Sequence, residues 1–347
     1  MKANAVNPQG KKTGVSVVEV DALHAGMRLD RFLKRHFPDL PAGLIHKLLR
    51  TGQVRLDGCR VKGDERLVTG GKVRIPPLNV SHPTPRETTP TPPAAMLKAL
   101  EGSVLLEGEG FIVINKPPGW PVHGGTGQTS GLIDGLRHLW KDSPHHPELC
   151  HRLDRDTSGC LLLATDRQAA SVLTSAFRDG AVEKNYLALV RGCPDPAEGV
   201  IESSLAKGVI RSGERMVVTD DSGRTARTRY RTSERFTIAS LLEISLETGR
   251  THQVRAHLTS LGHPLAGDGK YGQRDFNRVM KSLGLTRMFL HARSLSFPHP
   301  RSRVPVRVTA PLDPHLVRLI DSLRQENKPR PSPSSPPAKP SGSPHER

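Results

Sequence analysis

The 347-residue chain has room for a small domain and a larger one with a substantial core. Its 51 Lys and Arg outnumber 34 Asp and Glu, and the net charge of +17, spread along the chain, favours a polyanionic partner such as RNA. No run reaches the roughly eighteen apolar residues of a membrane helix, residues 1–14 lack the apolar stretch of a secretory leader, and four cysteines without C-x-x-C spacing read as free thiols, so a soluble cytoplasmic protein is expected.

Residues 1–14 are polar and expected to be disordered; residues 15–78 read as a compact module. Leu29, Phe32, Leu33 and Phe37 share one helical face, with Arg28, Arg31, Lys34 and Arg35 on the other, and Pro38 and Pro41 end that helix. Leu44, Ile45, Leu48 and Leu49 repeat the pattern in a second helix, which carries Lys47 and Arg50 and closes at Gly52. Gln53-Val54-Arg55-Leu56 alternates like a strand, Asp57-Gly58 is a hairpin signal, and Arg60-Val61-Lys62 and Lys72-Val73-Arg74-Ile75 follow. This order of elements resembles an S4-type RNA-binding domain, which implies that Arg31, Lys34, Arg35, Lys47 and Arg50 contact RNA. Residues 79–97 are rich in Pro and Thr and read as a semi-extended linker.

A larger domain is expected over residues 98–325, opening with the strands Val104-Leu105-Leu106-Glu107 and Phe111-Ile112-Val113-Ile114. The second strand runs into Asn115-Lys116-Pro117-Pro118-Gly119. Val122-His123-Gly124-Gly125 begins a polar loop before the helical pattern Leu132, Ile133, Leu136 and Leu139. The glycines match neither G-x-G-x-x-G nor G-x-x-x-x-G-K-[ST], so no nucleotide cofactor is expected. His145, His146, Cys150 and His151 fit no metal-ligand spacing, so no metal is expected either.

His151-Arg152-Leu153-Asp154-Arg155-Asp156-Thr157-Ser158-Gly159 then runs into the apolar segment Cys160–Ala164, a polar loop at the mouth of a core strand. Its carboxylate Asp154 has a cationic neighbour on each side in Arg152 and Arg155, and Gly159 can supply a positive φ. Ala169–Phe177 reads as a helix stopped by Gly180, Lys184–Val190 as a strand, and residues 200–245 as further strands with Arg224, Arg227, Arg229 and Arg231 on a basic stretch. Thr248-Gly249-Arg250-Thr251-His252-Gln253-Val254-Arg255-Ala256-His257 follows. By residue type alone, its Arg250, His252, Arg255 and His257 are a basic helix face or phosphate contacts. Residues 326–347 are a Pro/Ser-rich tail, expected to be disordered.

H-R-L-D-x-x-T-S-G with C-L-L-L, K-x-Y-L-A-L-V at Lys184–Val190 and G-R-T-H-Q-V-R-x-H at Gly249–His257 resemble the RluA-type ribosomal large-subunit pseudouridine synthases. N-K-P-P-G and V-H-G-G are similar to family segments too, and the order of motifs over residues 15–325 resembles the C type. The resemblance implies an α+β fold, with a mixed, mostly antiparallel sheet, flanking helices and a small S4 domain. It implies a monomeric enzyme without cofactor that isomerises uridines of large-subunit ribosomal RNA. Asp154 would be the catalytic carboxylate, Tyr186 the active-site aromatic and Arg255 the partner that favours the charged form of Asp154. Arg152 would fill the space left by the extruded base, with His123, Arg250 and His252 as further RNA contacts. The rivals are a sibling enzyme acting on other ribosomal or transfer RNA uridines, a non-catalytic RNA-binding assembly factor, and a glycosidase-like hydrolase using Asp156 as its second carboxylate.

Overall fold

The computed structural model describes residues 14–22, 24–37, 40, 42–77, 91–124, 130–208, 216–220 and 223–326. The chain divides into two units, Met1–Thr89 and Pro90–Arg347.

In the first unit, β1 (Ser16–Glu19), α1 (Leu29–His36), α2 (Ala42–Arg50), β2 (Arg55–Leu56), β3 (Cys59–Arg60) and β4 (Lys72–Ile75) follow in chain order. The antiparallel sheet runs β1-β4-β2-β3. Leu29, Phe32 and Leu33 of α1 pack with Ile45, Leu48 and Leu49 of α2 over Val54, Leu67, Val73 and Ile75. Asp57 (φ 48°) and Gly58 (φ 81°) are both left-handed, as a two-residue hairpin turn between right-twisted strands requires. β1 escapes the sequence reading because it lies at the sheet edge with Val17 exposed, so no apolar alternation marks it. Pro38 and Pro41, read as helix breakers, lie outside the described residues.

The second unit opens with α3 (Ala94–Leu100), so the helix starts inside the stretch read as linker. Pro93 at its N-cap needs no amide partner, and Met96 and Leu100, one turn apart, bury against Leu132, Ile133 and Leu136. There follow β5 (Val104–Gly108), β6 (Phe111–Lys116), α4 (Leu132–Leu139), β7 (Glu148–Leu149), β8 (Ser158–Ala164), α5 (Arg167–Arg178) and β9 (Glu183–Arg191). Then come β10 (Glu198–Lys207), β11 (Val217–Thr219), β12 (Arg224–Arg235), β13 (Ala239–Leu246), α6 (Gln253–Ser260), α7 (Arg274–Ser282), β14 (Leu290–Pro298), β15 (Pro305–Thr309) and α8 (Pro314–Glu326). Among the described residues these strands form one sheet in the order β11-β10-β12-β13-β9-β14-β8-β6-β5, with β15 on β14 and β7 on β8. The pairings are antiparallel except β14 with β8.

β8 is buried from end to end, with core clusters on both faces, which is why it reads as an unbroken apolar run rather than an alternating one. At its first turn Gly159 has φ 107°, and a Cβ there would stand 2.2 Å from the Ala292 carbonyl oxygen of β14. Only glycine lets the two strands close where the polar loop enters the sheet.

Candidate active site

The loop between β7 and β8 ends at that parallel pairing, and three sets of bonds hold it. Ser158 Oγ donates to His291 Nδ1 at 2.9 Å and accepts from Arg287 Nη2 at 3.1 Å, while His291 Nε2 donates to the Ala310 carbonyl. Lys116, at the end of β6, is fully buried, and its ammonium donates to the carbonyls of Pro117, Arg155 and Thr157, each at 2.9 Å. The Gly119 amide donates to the Arg155 carbonyl as well. Burial pushes the Lys116 pKa down to about 7, against the opposing pull of Asp156 and Asp154. The N-K-P-P-G segment is thus the clamp under the aspartate loop.

Asp154 projects from this loop with 17% of its side chain exposed. Arg255 of α6 donates from Nη1 to Asp154 Oδ2 at 3.3 Å, and His252 Nε2 stands 3.9 Å from the same oxygen. Among the described residues no partner engages Oδ1. Arg255 is itself held from behind: Nε donates to Asp268 Oδ2 at 2.7 Å and Nη2 to Asp268 Oδ1 at 2.9 Å. Burial opposes the guanidinium charge, but the hydrogen bonds and charge of Asp268, and then Asp154, outweigh it and raise the Arg255 pKa.

Before α6 the backbone takes an uncommon turn, with His252 left-handed at φ 53° and ψ 22°. Such strain gathers where a site over-determines the chain. Gln253 supplies the support: Oε1 accepts from Thr248 Oγ1 and the Arg250 amide, and Nε2 donates to the Arg227 carbonyl and Thr228 Oγ1. The His252 ring meets the Tyr271 hydroxyl through Nδ1 at 3.0 Å. Burial lowers the His252 pKa, with the Asp154 charge working against it.

Arg152, Asp154, Thr157, Tyr186, Arg250, His252 and Arg255 line one cavity of about 90 Å³, so residues far apart in sequence converge. Tyr186 lies on β9 at the junction of two core clusters, and burial, aided by Asp154, raises its hydroxyl pKa, keeping it protonated. Arg152 is exposed at the rim without an ion-pair partner among the described residues; Arg250 donates to the Thr225 carbonyl. His123 is exposed on the loop after β6 and does not line this cavity. Arg31, Lys34, Arg35, Lys47 and Arg50 are exposed on α1 and α2 of the first unit, where Lys34 Nζ donates to the Leu40 carbonyl.

Other sequence expectations resolve differently. Arg250, His252, Arg255 and His257 do not form one basic helix face: the first two precede α6, and buried His257 turns to Ser203 Oγ at 3.0 Å. Arg155 turns from Asp154 to Asp156, at 3.1 Å. The basic stretch on β12 borders an open groove of about 700 Å³, but three of its four cations are matched: Arg227 and Arg229 pair with Glu247, and Arg231 with Glu243. His151 stacks on Phe177 and accepts the Leu162 amide through Nε2, and burial drives its pKa to about 3. Among the described residues no group of three His, Cys, Asp or Glu side chains could hold a metal ion. The sequence reading assigned no role to Lys116, Gln253, Asp268 or Tyr271; the segments carrying them were visible, but their partners were not.

Residues 110–260 match the family model described as RNA pseudouridylate synthase. The chain is 41% identical over 313 residues to the ribosomal large subunit pseudouridine synthase C of Pasteurella multocida, covering 90% of this chain and 95% of that protein. The protein of the same name from Escherichia coli strain K12 is 40% identical, with coverage of 89% and 97%. Among solved structures, human RNA pseudouridylate synthase domain containing 4 superposes with a TM-score of 0.55 at 28% identity, over 66% of this chain and 96% of that one. Human RNA pseudouridylate synthase domain containing 1 gives a TM-score of 0.52 at 26% identity over the same shares.

Proposed function

The chain belongs to the RNA pseudouridylate synthase family, and from that premise we propose that it isomerises uridines of large-subunit ribosomal RNA to pseudouridine with Asp154 as the catalytic carboxylate. The reaction breaks the N1–C1′ bond, turns the uracil and joins C5 to C1′; the C5 proton is lost and N1 gains one. Neither electrons nor atoms are exchanged with a cofactor.

A carboxylate serves this chemistry by attacking C1′ or by removing the 2′ proton, and either role needs an ionised oxygen with a free lone pair. Asp154 suits either role: Arg255 donates to its Oδ2, no hydrogen bond among the described residues engages Oδ1, and the side chain lines the cavity. Tyr186 presents an aromatic face to a flipped base, replacing the stacking lost in the RNA. Arg152, free at the rim, occupies the gap in the helix, and Arg250 and His252 meet the nucleotide. In the first unit, read as an S4-like module, Arg31, Lys34, Arg35, Lys47 and Arg50 meet phosphates, and His123 adds a contact from the larger unit. No helix among the described residues is long and apolar enough to cross a membrane. On this reading the protein works as a cytoplasmic monomer where its RNA resides.

The observation that carries the proposal is the 3.3 Å bond from Arg255 to Asp154 in a cavity shared with Tyr186. Pseudouridine mapping of ribosomal RNA from cells with and without the gene tests it. Loss of pseudouridine at discrete large-subunit positions is expected; identical maps would refute the assignment.

A further inference from the structure

Asp268, on the loop between α6 and α7, has a side chain with no exposure to solvent. Both oxygens are committed: Oδ2 to Arg255 Nε, and Oδ1 to Arg255 Nη2 and the amides of Lys270 and Tyr271, at 2.9, 2.8 and 3.0 Å. The pair is a fork-to-fork contact, the strongest arrangement a guanidinium and a carboxylate make. It takes the Nε/Nη2 edge of Arg255 and leaves Nη1 for Asp154. Two carboxylates therefore share one cation unequally, with two short bonds to Asp268 and a single longer one to Asp154.

That inequality has a chemical consequence. Were the Nε/Nη2 edge free, Asp154 could take it in a bidentate pair of its own, with both oxygens occupied and neither open to ribose. The same turn sets the other neighbours of the carboxylate. Tyr271, whose amide bonds to Asp268, lies under the guanidinium with its ring centroid 4.8 Å from the Arg255 carbon. Its hydroxyl accepts the Val217 amide at 2.7 Å and meets His252 Nδ1, leaving Nε2 toward Asp154.

We propose that Asp268 is a positioning residue for the reaction: by occupying one edge of Arg255 it limits Asp154 to a single hydrogen bond, aiming the carboxylate while leaving it free to react. This rests on the catalytic reading of Asp154 given above.

The test compares wild type, Asp268→Asn, Asp268→Glu and Asp154→Asn on unmodified large-subunit ribosomal RNA transcribed in vitro, with kcat and KM measured from pseudouridine formation. Asp268→Asn is expected to lower kcat on the order of a hundredfold, as misplacement of a reacting group does, with KM unchanged. Asp268→Glu, which keeps the carboxylate, is expected to recover part of the loss. Wild-type kcat in Asp268→Asn, a loss carried by KM, or no recovery with Glu overturns the proposal. If thermal melts show that Asp268→Asn does not fold, Asp268→Glu decides: a lowered kcat at wild-type KM supports the proposal, and a wild-type kcat overturns it. An active Asp154→Asn overturns the reading of Asp154 and this one with it. An inactive Asp154→Asn beside a fully active Asp268→Asn overturns this one alone.

Discussion

A lysine ammonium has three N–H donors, and the three carbonyls around Lys116 use all of them. Two of those carbonyls belong to the loop that carries Asp154, so the lysine acts on that loop's geometry without touching the reacting atoms. Lys116→Met would relieve the desolvation of a buried charge but leave the Pro117 and Thr157 carbonyls unpaired, at about 1–3 kcal/mol each, while the Arg155 carbonyl keeps the Gly119 amide. The acceptors outweigh the relief, and a net loss on the order of 3 kcal/mol is expected in denaturant unfolding, with activity falling below the folded fraction. A variant as stable and as active as wild type would show the cage to be idle. Asp154, Arg255 and Tyr186 were legible in the sequence because each sits in a long, specific motif. Asp268 was not given a role, because nothing local says which cation a buried carboxylate meets.

At the level of the elements, periodicity exposed α1, α2, α4 and α5, and the apolar run exposed β8. It missed α3, whose proline-rich approach suggested linker, and it was silent on the parallel pairing of β14 with β8. That pairing joins residues with a sequence separation of 133 at Ser158 and His291, and no local pattern encodes such a contact. The same elements bury neutral histidines: His291 on β14 and His257 on α6, each pushed by burial from 6.5 to about 4, and His151, pushed to about 3. A histidine whose folded pKa lies below its unfolded value stabilises the fold while neutral. That contribution is complete above pH 6.5 and is lost as pH falls toward 4, because the unfolded chain binds more protons. The Tm is therefore expected to drop between pH 6.5 and 4.5, before the carboxylates titrate, with proton uptake on unfolding measurable by calorimetry in buffers of different ionisation enthalpy. A flat Tm across that window would contradict it.

Over the whole molecule the excess of positive charge is not evenly available. Glutamates claim Arg227, Arg229 and Arg231 of β12, whereas Arg31 and Arg35 of the first unit are exposed on α1. The net charge visible in the sequence thus forecast a polyanionic partner without saying which cations would be free to meet it. If Arg31 and Arg35 neutralise phosphates, Arg31→Ala with Arg35→Ala should reduce the slope of log K against log salt by roughly 0.7–0.9 for each phosphate no longer neutralised. An unchanged slope would remove α1 from the RNA surface. On the proposed reading chemistry and grip are separable, with affinity contributed by the first unit and product formation by the carboxylate at position 154. Single-turnover pseudouridine formation by Asp154→Asn, run beside a binding titration on the same RNA, tests that most directly. Retained binding with product formation reduced to background is the expected result; product at the wild-type rate would contradict it.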